Sequence, residues 1–203
     1  MKALLLIDIQ NDFLPGGSLA VHGGDEIIPV CNKLQEHFDL VVASQDWHPC
    51  GHQSFASSHP GSHPFDIIEL NNFSQVLWPD HCIQGTDGAA ISRDLSTNRV
   101  EAIFRKGTNP EIDSYSAFYD NNYLRSTGLA DYFRGKGVRH VYIAGLAADY
   151  CVYYSAKDSI GEGFDTLIIE DATRPINAEA FTTAKEDIKR RGGKIIQSSS
   201  LLK

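Results

Sequence analysis

Short apolar runs alternate with segments of helical periodicity along most of the 203-residue chain. The runs are rich in Val, Ile and Leu and lie at residues 3–9, 40–44, 100–104, 140–144, 166–170 and 194–197. Most of them lack the apolar–polar alternation of a half-exposed strand, which is typical of strands buried on both faces of a parallel sheet. Strands that alternate with helices indicate an α/β fold with right-handed crossovers.

The helical segments provide the connections of this sheet. Apolar residues recur at helical spacing over residues 27–38, 127–135, 149–163 and 177–192. Thr127, Asp149 and Asn177 are suitable residues for the N-terminal ends of the last three, and glycines follow or end each of them. We predict a single domain over residues 1–203. Its architecture is a three-layer α/β/α fold around a central, mostly parallel six-stranded sheet, Rossmann-like, with strand order 3-2-1-4-5-6.

Composition excludes several classes of function. The formal net charge is −8 and no basic stripe offsets it, so duplex nucleic acid and anionic membranes are poor partners. The apolar runs are too short to span a bilayer. Met1 and Lys2 lead directly into a strand-like run without the features of a signal peptide, and we expect a cytoplasmic protein. A chain of this length has little need of disulfides, so its four cysteines suggest core packing, metal ligation or a nucleophile.

Two irregular segments interrupt the α/β pattern, at residues 47 to about 99 and 107 to about 122. Long irregular segments in a compact domain are usually functional. The first segment also holds five of the eight histidines, between residues 48 and 81, which points to chemistry rather than to packing.

Reactive side chains follow four of the predicted strands. Asp8 ends the first strand, Asp46 and His48 follow the second, Lys106 follows the third, and Cys151 follows the fourth. Ligands of open parallel sheets bind outside the carboxyl ends of the strands. We therefore expect these residues to converge at one edge of the sheet.

Each of these residues also has a structural interpretation. Cys151, at a turn from strand to helix, would face unpaired N–H groups that stabilise a thiolate nucleophile, but a buried structural cysteine is the alternative. Asp8, after five apolar residues, suits a general base with a raised pKa, or else a loop-tying hydrogen bond. Lys106 could favour a thiolate and steady an oxyanion, although it could equally be a solvated surface lysine. For Cys31, on the apolar face of a helix, core packing is the better interpretation.

A metal site is predicted in the histidine-rich segment. Asp46, His48 and His81 offer one carboxylate and two imidazoles, a set that leaves open positions as catalytic sites do. Further candidate ligands are His52, His59, His63, Cys50 and Cys82, of which His59 and His63 are also explained as exposed loop residues. A closed, cysteine-rich zinc site is disfavoured because the chain has no Cys-x-x-Cys pair.

Six motifs together resemble a known family. They are Asp8-Ile9-Gln10-Asn11-Asp12-Phe13, Gly16-Gly17-Ser18-Leu19, Ser44-Gln45-Asp46-Trp47-His48-Pro49, Trp78-Pro79-Asp80-His81-Cys82, Lys106-Gly107 and Gly145-Leu146-Ala147-Ala148-Asp149-Tyr150-Cys151. In this order they resemble the isochorismatase-like cysteine hydrolases and, within them, the nicotinamidase group. The resemblance extends from the first strand to about residue 175, and the Asp46–His48 and His81 motifs are what point to the narrower group.

The resemblance implies a hydrolase that converts nicotinamide and water to nicotinate and ammonia in NAD salvage. Cys151 would attack the carboxamide carbon to form a thioester, Asp8 would accept and return the proton, and Lys106 would stabilise the charged groups. The backbone N–H groups of Ala147 and Cys151 would form the oxyanion hole, and the Leu146–Ala147 peptide bond would be cis.

The resemblance also implies one divalent metal ion and a small-molecule ligand. Asp46, His48 and His81 would hold the ion, and His52 would act on it directly or through water. The ion would be zinc, with iron or manganese as alternatives, and its open position would receive the pyridine nitrogen. Phe13, Trp78 and Tyr115 would form aromatic walls.

Two other functions remain open at this stage. Another hydrolase of the superfamily, acting on isochorismate, N-carbamoylsarcosine or a ureido acid, would generally lack the Asp46–His48 metal set. A non-catalytic metal-binding or redox protein would leave Asp8 and Lys106 without a role. The sequence leaves undecided the oligomeric state, monomer or homo-oligomer, the range of amides, and the role of the insert at residues 57–76.

Overall fold

The computed structural model describes residues 1–202, and its centre is a sheet of six parallel strands. The strands of the chain are β1 (Lys2–Ile7), β2 (Leu40–Asp46), β3 (Ile67–Leu70), β4 (Phe73–Val76), β5 (Val100–Lys106), β6 (His140–Leu146), β7 (Asp165–Arg174) and β8 (Lys194–Ile196). The central sheet has the order β5-β2-β1-β6-β7-β8. Counted along the chain within this sheet, the order is 3-2-1-4-5-6, so the predicted fold class is confirmed.

Apolar layers on both faces of the sheet explain why its central strands lack alternation. In β1, Leu4 and Leu6 pack into one layer while Leu5 and Ile7 pack into the other. Helix α1 (Ile28–Leu34) packs into the first layer, and helices α2 (Leu129–Gly135), α3 (Tyr153–Gly161) and α4 (Ala178–Arg190) contribute to the second. None of the helices within residues 1–202 has the length and apolar content needed to cross a bilayer.

Helix starts differ from the prediction in two places. The predicted helix from Asp149 divides into a π-helical turn, Ala148–Val152, and then α3, and no side chain caps that turn. The Asp149 carboxylate instead accepts hydrogen bonds from the backbone N–H groups of Ile176 and Asn177, at 2.9 and 2.8 Å. Asp149 therefore fastens the segment that precedes α4 rather than the helix that it opens.

Of the other two predicted N-caps, the one of α4 is confirmed and the one of α2 is not. Asn177 caps α4 as predicted, because its side-chain oxygen accepts a hydrogen bond from Ala180 N at 2.9 Å. The N-cap of α2 is Gly128 in the left-handed region, not Thr127. The Thr127 hydroxyl still accepts a hydrogen bond from Leu129 N, at 3.2 Å.

A two-stranded hairpin, β3–β4, lies inside the segment that the sequence leaves irregular. Asn71 and Asn72 connect the strands with φ of 52° and 65°, as a two-residue hairpin turn requires. Ile67 and Phe73 are exposed, so neither face of the hairpin is fully covered and the strands lack the regular alternation that reveals a half-buried sheet. The hairpin accounts for much of the 57–76 insert.

Replacing a core phenylalanine should lower the free energy of unfolding far more than replacing an exposed one. Phe133 is fully buried against Phe118 and Phe164, so Phe133→Ala should lower the free energy of unfolding by about 3–5 kcal/mol. Phe73→Ala, at a side chain that is 51% exposed, should cost less than about 1 kcal/mol. Urea denaturation of both variants checks this, and equal costs would contradict the assignment of the core.

Candidate active site

The carboxyl ends of the central strands bring four reactive residues together. Asp8 follows β1, Asp46 and Lys106 end β2 and β5 opposite each other in register, and Cys151 lies in the π-helical turn after β6. All four are buried. The turn of the chain at Asp8, where φ is 46°, ends β1 two residues earlier than the sequence predicts.

The Lys106 ammonium group contacts every other member of this set. Its Nζ lies 3.0 Å from Asp8 Oδ2 and 3.0 Å from Asp46 Oδ1. It also donates hydrogen bonds to the Ser114 carbonyl oxygen, at 2.8 Å, and to the Cys151 sulfur, at 3.5 Å. Burial opposes the charged form of this lysine, but the two carboxylates raise its pKa well above the ordinary value, so it remains an ammonium. The structure therefore excludes the alternative that Lys106 is a solvated surface lysine.

Asp8 combines burial with a restrained orientation. Its Oδ1 accepts a hydrogen bond of 2.6 Å from the Ser44 hydroxyl, while Oδ2 faces Lys106. Burial raises the pKa of Asp8, and the nearby Asp46 adds to this, although Lys106 and Ser44 act in the opposite direction. A carboxyl group with a raised pKa is suited to accept a proton and to return it.

The surroundings of Cys151 favour the protonated thiol. Burial raises its pKa well above the ordinary value, and the carboxylates of Asp8 and Asp46 add to this, whereas Lys106 lowers it. A proton on the Cys151 sulfur agrees with the expectation that Asp8 accepts the thiol proton. The group is a thiol that must lose its proton as it reacts, and Asp8, which shares the Lys106 ammonium group with the Cys151 sulfur, is the neighbouring acceptor.

Ala147, the residue before the π-helical turn, and Cys151, within it, border the same small cavity. The Leu146–Ala147 peptide bond between β6 and this turn is cis, as the resemblance implies. The backbone N–H groups of both residues stay candidates for an oxyanion hole.

Three side chains form a candidate metal site beside Lys106. One ligand atom each from Asp46, His48 and His81 lie within 4.8 Å of one another, and all three residues are buried. Asp46 Oδ2 lies 3.2 Å from His48 Nε2 and 3.5 Å from His81 Nε2. The other ring nitrogen, Nδ1, bonds the Gly107 carbonyl in His48 and the Pro79 carbonyl in His81. With Nδ1 as donor, both Nε2 lone pairs face Asp46, which is the tautomer that a metal requires.

The electrostatics of the site fit a bound cation. Nε2 of His48 is buried and has no hydrogen-bond partner among the described residues. Asp8, Asp46 and Asp113 place three buried carboxyl groups around the Lys106 ammonium. Buried carboxylates in excess of their cationic partners are costly, and a divalent ion held by Asp46, His48 and His81 would offset that cost.

The remaining candidate ligands lie outside this group of three. His52 packs against the His48 ring, but its Nε2 donates to the Asn109 carbonyl and its Nδ1 lies against the backbone N–H and hydroxyl of Ser54. Both nitrogens are thus occupied, which leaves His52 no free donor for direct ligation. His63 and Cys50 are exposed, and His59 bonds the Gln53 carbonyl. Cys82, next to His81, is buried.

Cys31 has no part in the site. It is fully buried on α1, and burial with the nearby Asp171 raises its pKa to about 12.

A small cavity opens beside the thiol and the metal group. Phe13, Trp78 and Tyr115, the predicted aromatic residues, all line it. Tyr150 lines it as well, in edge-to-face contact with Trp78 at 4.8 Å between ring centroids. A small, mainly apolar cavity with few polar groups suits a flat aromatic ligand.

Several residues of the site were not identified from the sequence. Ser44 and Tyr150 stand inside the quoted motifs, so their position in a motif was a usable signal. Asp113 lines the cavity, and its carboxylate accepts hydrogen bonds from Ser114 N and Gln75 Nε2. It lies in the irregular segment after β5, where no periodicity marks it. Leu19, which also stands inside a quoted motif, lines the cavity, and so does Ile176, which has no signal in the sequence.

Comparison with known proteins agrees with this geometry. Residues 2–200 match the description of the isochorismatase domain. The chain is 44% identical over 201 residues to a nicotinamidase of Acinetobacter baylyi, covering 98% of this chain and 94% of that protein. A solved nicotinamidase/pyrazinamidase of Acinetobacter baumanii has 46% identity and a TM-score of 0.97, covering 99% and 98% of the two chains.

One further solved structure bears on the metal. A pyrazinamidase of Pyrococcus horikoshii, solved in complex with zinc, is 38% identical with a TM-score of 0.79, and the match covers 97% of this chain and 98% of that one. From the domain match and these likenesses, the chain belongs to the isochorismatase family.

Proposed function

We propose that the protein is a nicotinamidase, which hydrolyses nicotinamide to nicotinate and ammonia through a thioester on Cys151. The observation that carries the proposal is that Lys106 Nζ contacts the base Asp8, the metal ligand Asp46 and the Cys151 sulfur together, at one edge of an aromatic cavity. The 44% identity to a nicotinamidase over nearly the whole chain supports the same substrate. Release of nicotinate contributes to NAD salvage, and the expected compartment is the cytoplasm.

In the first half-reaction the thiol adds to the carboxamide carbon. The Cys151 proton passes to Asp8, a C–S bond forms, and the carbonyl oxygen gains charge that the N–H groups of Ala147 and Cys151 stabilise. The C–N bond then breaks, Asp8 returns the proton to the leaving nitrogen, and ammonia departs. Lys106 keeps Asp8 oriented and balances its charge throughout.

In the second half-reaction water cleaves the thioester. Asp8 accepts a proton from the water as its oxygen adds to the acyl carbon. The C–S bond breaks, the sulfur recovers its proton, and nicotinate is released. The buried position of the site, beneath the aromatic walls, limits bulk water during acylation.

Asp46, His48 and His81 are the residues proposed to hold one divalent ion, with zinc the first choice and iron or manganese as alternatives. A bound ion supplies a Lewis-acid position for the pyridine nitrogen. The chain's own contribution is to hold the ring: Phe13, Trp78 and Tyr115 enclose it so that the amide group meets the sulfur of Cys151.

Purified protein should release ammonia and nicotinate from nicotinamide, and Cys151→Ala should lower that rate by at least about four orders of magnitude with the fold retained. Cys50→Ala, at an exposed cysteine, is the matched control and should act as wild type. A coupled ammonia assay and circular dichroism measure both. Turnover of N-carbamoylsarcosine but not of nicotinamide would favour the rival hydrolase, and near-normal activity of Cys151→Ala would remove the thiol from the mechanism.

Lys106→Met should damage both activity and stability. Loss of the ammonium leaves Asp8 and Asp46 buried without their partner, so the free energy of unfolding should fall by about 3–5 kcal/mol and kcat/KM by about 10²–10³-fold. Lys185→Met removes a partly exposed lysine paired with Glu170, and should cost no more than about 1 kcal/mol. Denaturant titration and steady-state kinetics measure both variants. If Lys106→Met costs no more than Lys185→Met, Lys106 is not central to the site.

Metal removal should weaken substrate binding more than it slows the chemical step. In chelator-treated protein, KM for nicotinamide should rise at least about tenfold, equivalent to about 1.4 kcal/mol of binding free energy, and added Zn²⁺ should restore it. Kinetics and equilibrium dialysis with nicotinamide measure this. An unchanged KM with a lost kcat would instead assign the ion to activating water.

A further inference from the structure

Side chains of the loop that follows β1 bond the backbone of the segments that carry the candidate metal ligands. Gln10 is fully buried, and its side-chain amide bonds both backbone polar groups of Asp46. Its Oε1 accepts from Asp46 N at 2.7 Å, and its Nε2 donates to the Asp46 carbonyl at 2.8 Å. The same Nε2 also donates to the Ala89 carbonyl at 2.9 Å. One side chain therefore connects β2 with the irregular segment near Ala89.

The Gln10 side chain supplies hydrogen bonds to the end of β2 that β1 does not make. The backbone of β1 pairs with β2 only as far as Leu6 opposite Ala43, after which the chain turns away at Asp8. On its other side, β2 remains paired with β5 up to Asp46. The end of β2 would thus lose its β1-side hydrogen bonds at the residue that carries the metal-ligating carboxylate. The Gln10 amide, which has one donor group and one acceptor, supplies them.

Asp12, two residues further along, fastens the other part of the metal site. Its Oδ2 accepts a hydrogen bond of 2.7 Å from the backbone N–H of Cys82, the residue after His81. Its Oδ1 accepts from Ser18 N at 3.3 Å. The Cys82 carbonyl in turn accepts from His48 N at 3.0 Å, so the segments that carry both imidazoles are joined at Cys82.

We propose that Gln10 and Asp12 are positioning residues of the metal site: they hold Asp46 and the His81–Cys82 turn in the geometry that binds the ion. This inference rests on the metal site of the proposed function and deepens it. Neither side chain belongs to the group of three ligands. Loss of outer hydrogen bonds that orient metal ligands typically costs 10–100-fold in metal affinity.

Two substitutions of similar size test the two contacts separately. Gln10→Met keeps the length of the side chain but removes all three hydrogen bonds. Asp12→Asn leaves one acceptor oxygen for two backbone N–H groups, so one of its bonds is lost. The matched controls are Gln35→Met, at a buried glutamine bonded to the Ser96 carbonyl, and Asp171→Asn, at an aspartate that accepts two hydrogen bonds from Ser198.

The measurement is Zn²⁺ affinity of the metal-free full chain, by competition with a chromophoric chelator. We expect the dissociation constant to rise about 10–100-fold in Gln10→Met and Asp12→Asn, and to stay within about twofold of wild type in both controls. KM for nicotinamide should rise in the two site variants at limiting Zn²⁺ and recover at saturating Zn²⁺. If Gln10 and Asp12 only stabilised the fold, activity would fall in the variants and would not recover at saturating Zn²⁺.

The outcomes separate this inference from the proposed function. If wild type binds Zn²⁺ and hydrolyses nicotinamide while both site variants bind Zn²⁺ as wild type does, the positioning role is overturned and the function stands. If wild type binds no Zn²⁺, Mn²⁺ or Fe²⁺, the metal site and the positioning role fail together. Should Gln10→Met fail to fold, Asp12→Asn alone decides the result.

Discussion

The buried ammonium group of Lys106 is the interaction on which the arrangement of the site depends. An isolated charge at this depth would cost several kcal/mol, and the chain offsets that cost with the carboxylates of Asp8 and Asp46 and the carbonyl of Ser114. These partners come from β1, β2 and the segment after β5. The lysine thereby sets the distance between the residue proposed as base and the residue proposed as metal ligand. The same group reaches the Cys151 sulfur, so the thiol is placed by the network that holds the acids.

The pKa values of the two buried carboxylates in this network shift in opposite directions, because their partners differ. Although burial opposes the charged form of Asp46, a protonated His48, the Lys106 ammonium and an N–H group of His81 lower its pKa well below the ordinary value in the protein without a bound ion. Asp8 has Ser44 and the lysine as its partners and lies near the Asp46 charge, so burial prevails and its pKa is raised. One carboxylate thus stays charged and suited to a metal ion, while its neighbour can exchange a proton with a thiol whose pKa is also raised.

The sequence predicts what depends on periodicity and on strand ends. The apolar runs were sufficient for the six strands of the central sheet, and the carboxyl ends of β1, β2, β5 and β6 were sufficient to bring Asp8, Asp46, Lys106 and Cys151 to one edge. What it does not predict is bonding between a side chain and a distant backbone. Asp149 was expected to cap its own helix, yet it bonds backbone groups 27 and 28 residues away. Gln10 bonds Asp46 across 36 residues. Such contacts leave no periodic pattern, because they depend on where the irregular segments lie after the sheet has formed.

Strand ends and irregular segments therefore contribute different parts of the candidate site. The groups proposed to carry the reaction stand at the ends of parallel strands between two apolar layers. Of these strands, β1, β2 and β6 are hydrogen-bonded on both sides, and the edge strand β5 is paired with β2. The aromatic walls of Phe13, Trp78 and Tyr115 come from three segments that belong to no strand of the central sheet. The segment of Tyr115 also contacts the lysine network, because the carbonyl of the preceding Ser114 accepts a hydrogen bond from Lys106. The loop after β1 likewise serves both parts, because Phe13 lines the cavity while Gln10 and Asp12 bond the backbone of Asp46 and Cys82.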